Sequence, residues 1–100
     1  MNYWQIYGIY FGFPTCCIME FNKRMTVLAR APKNRKLKGT GYIPCEHCNL
    51  KSEAELISQI NSERLCPTPF PSEDLASDHD ENEVIQLVIN KLNARSIHNA

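Results

Sequence analysis

Two pairs of cysteines constrain this chain more than any other feature. The stretch "GFPTCCIMEF", residues 12–21, sets Cys16 and Cys17 side by side behind a Gly-Phe-Pro turn, and "GYIPCEHC", residues 41–48, sets Cys45 and Cys48 in a Cys-x-x-Cys spacing. A chain of 100 residues makes one small domain that buries only about two-thirds of its unfolded surface, so a core of this size gains from a staple. Zinc supplies one: it takes four donors in a tetrahedron with Zn–S bonds of ~2.3 Å, and a Cys-x-x-Cys turn delivers two of them from one tight loop. Cys45 and Cys48 fit that role, with a turn-compatible Gly-Tyr-Ile-Pro lead-in and Glu46 and His47 free to project outward. The fifth cysteine, Cys66, makes the count odd. In a reducing compartment a Cys-x-x-Cys pair is more often metal-binding or catalytic than a structural disulfide.

The other pair depends on where Cys16 and Cys17 fall in a helix. Six of the nine aromatic residues crowd into the first thirteen positions, and Trp4, Tyr7 and Phe11 share the spacing of one helical face. Gly12 suits a left-handed residue closing that helix, and Pro14 suits the first position of the next. A second helix is thus expected from about Pro14 to Arg30, with Ile18, Phe21, Met25 and Leu28 as its buried stripe, ended by Pro32. In its first turn, unpaired N–H groups and the positive end of the helix dipole favour thiolate at Cys16 and Cys17. Adjacent helical side chains diverge by roughly 100°. Two ligand sets are therefore open: Cys16, Cys17, Cys45 and Cys48 together, or one of Cys16 and Cys17 packed in the core with His47 or Cys66 as the fourth ligand.

The rest reads as helices and connectors, with no internal repeat. Ser52 followed by Glu55 is a capping-box signal for a helix from about Ser52 to Arg64 that turns Leu56, Ile57 and Ile60 inward. Pro67, Pro69 and Pro71 mark an extended connector. A last amphipathic helix, from about Asp80 to Arg95, carries Ile85, Val88, Ile89 and Leu92 on one face, flanked by Val84 and Leu87. The expected fold is mainly α: a small domain of three to four helices with a Cys-knuckle metal site. It divides into a metal-stapled core at 1–66, a Pro-rich and acidic connector at 67–79 and a C-terminal helix at 80–100.

Lys plus Arg and Asp plus Glu balance at 11 each, so net charge points to no partner. The charges are nevertheless segregated. Seven basic residues lie between Lys23 and Lys38 with no acid among them, and six acids lie between Glu73 and Glu83. Lys33, Arg35, Lys36 and Lys38, with Tyr42 as a stacking residue, form a candidate nucleic-acid contact. The apolar N-terminal stretch lacks a basic n-region and a small-residue cleavage site, and is too short to span a bilayer of about 30 Å, so a cytoplasmic protein without membrane attachment is expected.

Together, "YGIYFGFPTCCIMEF" and "GTGYIPCEHC" resemble the signature of a group of short proteins, many of them carried by bacteriophages and prophages. The likeness covers Gly12–Phe21 and Gly39–Cys48, and residues 66–100 lie outside it. It implies that both thiol pairs belong to one motif, and it brings no activity with it. By analogy with phage proteins, the expected role is a non-enzymatic zinc protein that modulates a host protein in the host cytoplasm. The C-terminal helix is the candidate for contact with a second copy or with that partner. The alternatives are a nucleic-acid-binding zinc protein using the basic segment, and a thiol-dependent enzyme or redox protein in which a helix-start cysteine acts beside His47. Given the neutral total charge, titration of labelled duplex and single strand is expected to show only weak, sequence-independent binding that salt abolishes. Sub-micromolar affinity at physiological salt, lost on neutralising Lys33, Arg35, Lys36 and Lys38, would reverse that order.

Overall fold

Asn2 starts the first helix by folding its side chain back on the backbone. Its Oδ1 accepts from Gln5 N–H at 3.0 Å while its own N–H donates to Gln5 Oε1 at 2.9 Å, a reciprocal cap on α1 (Tyr3–Phe11). The computed structural model describes residues 2–27, 30–72 and 80–98. Within these, α1 is followed by α2 (Thr15–Val27), a 3-10 turn at Cys48–Leu50, α3 (Glu53–Glu63) and α4 (Glu81–His98). The described chain is mainly helical, and no strand occurs in it.

The break between α1 and α2 fixes how the first three helices meet. Gly12 ends α1 at φ 88°, the left-handed conformation that glycine adopts without steric cost. A Cβ at Gly12 would lie 2.3 Å from Ile60 O and 2.6 Å from Arg64 N, so the missing side chain also lets the ends of α1 and α3 meet backbone to backbone. The Tyr10 carbonyl would bond to the N–H of residue 14 in a continuing helix, but Pro14 has none. Leu65 and Cys66 N–H groups supply that carbonyl instead, at 2.9 and 3.1 Å. Pro14 itself stands one residue before α2 rather than inside its first turn, its carbonyl accepting from Cys17 and Ile18 N–H.

Caps at the later helices reflect the local sequence. Ser52 Oγ accepts from Glu55 N–H at 3.1 Å and opens α3. Asp80 Oδ1 accepts from the N–H groups of Asn82 and Glu83 at 2.9 and 3.2 Å and opens α4, whose first turn carries Glu81 and Glu83 against the positive end of the dipole.

Packing centres on α1, which contacts both α2 and α4. Aromatic rings run from it through the core. Trp4 meets Phe21 edge-on at 5.7 Å, and Phe13, in the α1–α2 turn, contacts both Tyr42 at 4.9 Å and Phe70 at 5.9 Å. Phe70 is carried in by Asn61, whose side-chain amide pairs with the Phe70 backbone in both directions at 2.8 and 2.9 Å, so the start of the Pro-rich connector is fastened to α3. Leu56 and Ile60 of α3 are fully buried, as their spacing implies, and Ile57 is half-buried against them.

Three inward faces differ from expectation. In α1, Gly8 and Tyr10 are buried while Trp4 is half exposed. In α2, Cys17, Ile18 and Arg24 are buried and Met25 faces solvent; Leu28 lies outside the described residues. In α4, Val84 and Val88 are almost fully buried and Leu87 and Leu92 pack beside them, whereas Ile89 is 41% exposed. Each of these helices offers apolar side chains on more than one face, and contact with neighbouring segments selects among them. Gly8 illustrates this: a Cβ there would meet the Ile18 side chain at 2.8 Å, so the absence of a side chain in α1 sets how near α2 comes. In the acidic run, Glu73, Asp74 and Asp78 lie outside the described residues, as does His79.

Glu63, at the end of α3, ties α4 down. Lys91 Nζ donates to the Glu63 carbonyl at 2.6 Å and pairs with its carboxylate at 3.2 Å, and Arg95 reaches the same carboxylate at 2.8 Å. The Lys91 bond is the main reason the Glu63 carboxyl sits below its ordinary value of 4.5; burial opposes it, and the charges of Lys91 and Arg95 add to the lowering.

Both the glycine turn and the Glu63 contacts lead to measurable differences. Gly12→Ala should cost about 3 kcal/mol or more, because it combines left-handed strain with a backbone clash, whereas Gly39→Ala should cost only about 1–2 kcal/mol. Gly39 has φ 89° but no atom within 4 Å of a Cβ. Denaturant melts of the two variants give the comparison. Because the Glu63 pKa is depressed in the fold, its contribution is complete above 4.5 and fades as pH falls through the lower folded value. Glu63→Gln should therefore be less stable than wild type at neutral pH and lose that deficit in acid, read from thermal melts across the pH range.

Candidate metal centre

The first turn of α2 carries Thr15, Cys16 and Cys17. Cα–Cβ bonds lean toward a helix's N-terminus, and no preceding turn covers side chains there. Two neighbouring side chains can thus converge on the space beyond the helix end despite their angular divergence. The second pair comes from the turn after Pro44. Asn49 N–H bonds to Cys45 O at 2.9 Å, Lys51 N–H bonds to Cys48 O at 3.0 Å, and Cys48 N–H points at Cys45 Sγ at 3.4 Å.

These elements bring the Sγ atoms of Cys16, Cys17, Cys45 and Cys48 within 4.8 Å of one another. Cys16 Sγ lies 3.4 Å from Cys48 Sγ and 3.8 Å from Cys45 Sγ. A tetrahedron of Zn–S bonds at ~2.3 Å has edges of about 3.8 Å. Disulfide sulfurs stand ~2.05 Å apart, and all five cysteines here are free. Geometry and donor chemistry fit one tetrahedral metal ion. The four-cysteine set is the one the fold assembles: His47 is exposed, and Cys66 is buried elsewhere with its thiol directed to Thr68 O at 3.3 Å.

The surroundings explain how the cluster is held. Tyr42 is 1% exposed and its hydroxyl lies 3.1 Å from Cys17 Sγ, which also accepts from Cys45 N–H at 3.3 Å. Burial pushes the Cys17 thiol up to about 11, with these two donors opposing the shift. Burial, together with the neighbouring sulfurs, also raises Cys48 well above the ordinary thiol range. Burial is the largest single influence on Cys45 too, but hydrogen bonds from Cys48, Cys16 and Cys17 together outweigh it and hold Cys45 below its ordinary value. Without a cation, so crowded a set resists carrying four thiolates; a bound divalent ion deprotonates such ligands and balances their charge.

The loop before the knuckle is wound by four left-handed residues: Asn34, Leu37, Gly39 and Gly41. Two of the four basic residues considered for nucleic acid brace it. Arg35 Nη1 donates to Tyr42 O at 2.7 Å; Lys36 donates its backbone N–H to Asn49 Oδ1 at 2.7 Å and its Nζ to Asn49 O at 2.9 Å. Lys33 and Lys38 remain exposed. Tyr42, considered as a stacking residue, is buried against Cys17 and Phe13 and is not available to a base. Sequence reading missed Tyr42 and Asn49 as supports of the site. Their only signal was position, three residues before Cys45 and one after Cys48.

Among known proteins, no family model, curated protein or solved structure matches the chain.

Cys45→Ser or Cys48→Ser should abolish stoichiometric metal binding and leave a protein that aggregates or loses helicity. Cys66→Ser should keep the metal, because its thiol lies outside the cluster, and cost at most about 2 kcal/mol for the buried change. Metal content and circular dichroism of the three variants distinguish these outcomes.

Proposed function

We propose that this chain is a small zinc-binding, non-enzymatic interaction protein, of the phage or prophage type its sequence resembles, that acts in the host cytoplasm by occupying a host protein. The convergence of four cysteine Sγ atoms within 4.8 Å carries the metal half of this reading. Four thiolates complete a tetrahedron and leave no position for substrate or activated water, which is the arrangement of structural zinc sites. The ion would hold the start of α2 against the 45–48 turn and contribute folding energy to a domain with a small core.

The interaction half is supported by the surface. Tyr3 and Trp4 of α1 are half exposed, and Met19, Met25 and Val27 of α2 are exposed as well, apolar side chains open to a partner. A groove of ≈ 230 Å³ with a mostly apolar lining opens between α1, α2 and residues 41–43. The nucleic-acid alternative is weaker, since Arg35, Lys36 and Tyr42 are engaged within the fold. No described helix is long and apolar enough to cross a membrane.

The test is native mass spectrometry with elemental analysis of protein purified without added metal. About one zinc per 11.5 kDa chain is expected, and its removal by a chelator should unfold the domain. Metal-free protein with five freely reacting thiols would end the zinc reading. For the interaction half, a purified host partner should bind wild type and lose affinity on Trp4→Ser with helicity unchanged; a partner indifferent to Trp4 would move the contact to another face.

A further inference from the structure

The four thiols are not equivalent. Cys17, Cys45 and Cys48 are buried at 2%, 7% and 0% exposure, whereas Cys16 is exposed. Donors other than sulfur cover part of the set: Cys17 Sγ faces the Tyr42 hydroxyl and Cys45 N–H, and Cys45 Sγ faces Cys48 N–H. Among the described residues, Cys16 Sγ has only the sulfurs of Cys48 and Cys45 as partners. N–H and O–H donors withdraw electron density from a thiolate and shield it; Cys16 has neither, and it faces solvent. Of the two sulfurs on the 45–48 turn the nearer, at 3.4 Å against 3.8 Å, belongs to Cys48, the most deeply buried of the four.

We infer that Cys16 is an oxidative modification site, at which a peroxide opens the cluster and joins Cys16 to Cys48. This rests on the zinc reading. Cys16 Sγ, as thiolate, attacks one peroxide oxygen; the O–O bond breaks, hydroxide leaves, and a sulfenic acid forms on Cys16. Cys48 Sγ then attacks the Cys16 sulfur, the S–O bond breaks, and a second hydroxide leaves as the disulfide forms. Two thiolates thus lose two electrons and one hydrogen peroxide becomes two hydroxides. The metal's oxidation state does not change; it loses two of four ligands. Cys45 is the poorer partner because its sulfur is farther away, at 3.8 Å, and already accepts from Cys48 N–H. The consequence is local, since the cluster joins the start of α2 to the 45–48 turn and its opening frees these segments from each other. A thiol reductant with added zinc reverses it.

The experiment starts from the zinc-loaded full chain. Hydrogen peroxide is added in substoichiometric steps, zinc release is followed with a chromogenic chelator, and the disulfides formed are mapped by peptide mass spectrometry without reduction. The Cys16–Cys48 disulfide should be the first to appear, in step with zinc release, and both should reverse with dithiothreitol and zinc. Cys16→His, which keeps four ligands without the oxidisable corner, should release zinc at least about tenfold more slowly at the same peroxide concentration. A first disulfide that excludes Cys16, or zinc release in Cys16→His at the wild-type rate, overturns the inference. Should Cys16→His fail to fold, the wild-type disulfide map still decides. Protein isolated without zinc overturns the metal reading and this inference with it, whereas zinc-loaded protein that oxidises elsewhere overturns only the inference.

Discussion

The three-residue break from Gly12 to Pro14 sets most of the structure. Gly12 in the left-handed region turns the chain and, having no side chain, lets α1 touch the backbone of Ile60 and Arg64. Pro14 withholds an N–H from Tyr10, and the freed carbonyl captures the stretch of chain leaving α3 at Leu65 and Cys66. Phe13, between them, places its ring against Tyr42 and Phe70. The same break starts α2 at Thr15, which is why Cys16 and Cys17 lie at a helix end with open space before them. Moving that start by one turn would bury or disperse the thiols.

Around the cysteines, the loop's charged residues have a structural task. A loop of left-handed residues forms few backbone hydrogen bonds of its own, and Arg35 and Lys36 reach the Tyr42 and Asn49 carbonyls that flank the knuckle instead. Long cationic side chains are well suited to this, since each carries several donors on a flexible stem. Two positive side chains bonded to Tyr42 O and Asn49 O also bring cationic character to the segment that carries the thiolates. The basic run that reads as a binding surface in one dimension is in part a brace in three.

At the other end of the molecule, α4 is joined to the rest by two kinds of contact. Val84 and Val88 enter the core, and the cations of Lys91 and Arg95 gather on Glu63. The second kind is partly exposed to water and contributes modestly; the first excludes water and carries the attachment. A helix whose sequence offers apolar residues on two faces is thereby committed on one, leaving Ile89 outward.

Local chemistry was legible in the sequence. Gly12 as a left-handed stop, Ser52 as a cap, and Leu56 and Ile60 as buried residues all follow from patterns within a few residues, where composition and spacing decide the outcome. What the sequence left open was settled by contacts between distant segments. It allowed either Cys16 with Cys17, or one of them with His47 or Cys66; side-chain convergence beyond the end of α2 brings together all four of Cys16, Cys17, Cys45 and Cys48. It marked Arg35 as a nucleic-acid contact and Tyr42 as a stacking residue, and only the folded loop turns Tyr42 onto Cys17 and Arg35 onto a carbonyl. The inward faces of α1, α2 and α4 were likewise undecided, because several rotations of each helix bury similar apolar area. Between α1 and α2 the close approach of Gly8 to the Ile18 side chain is part of what chose, and such proximity is a property of paired helices that no single segment encodes.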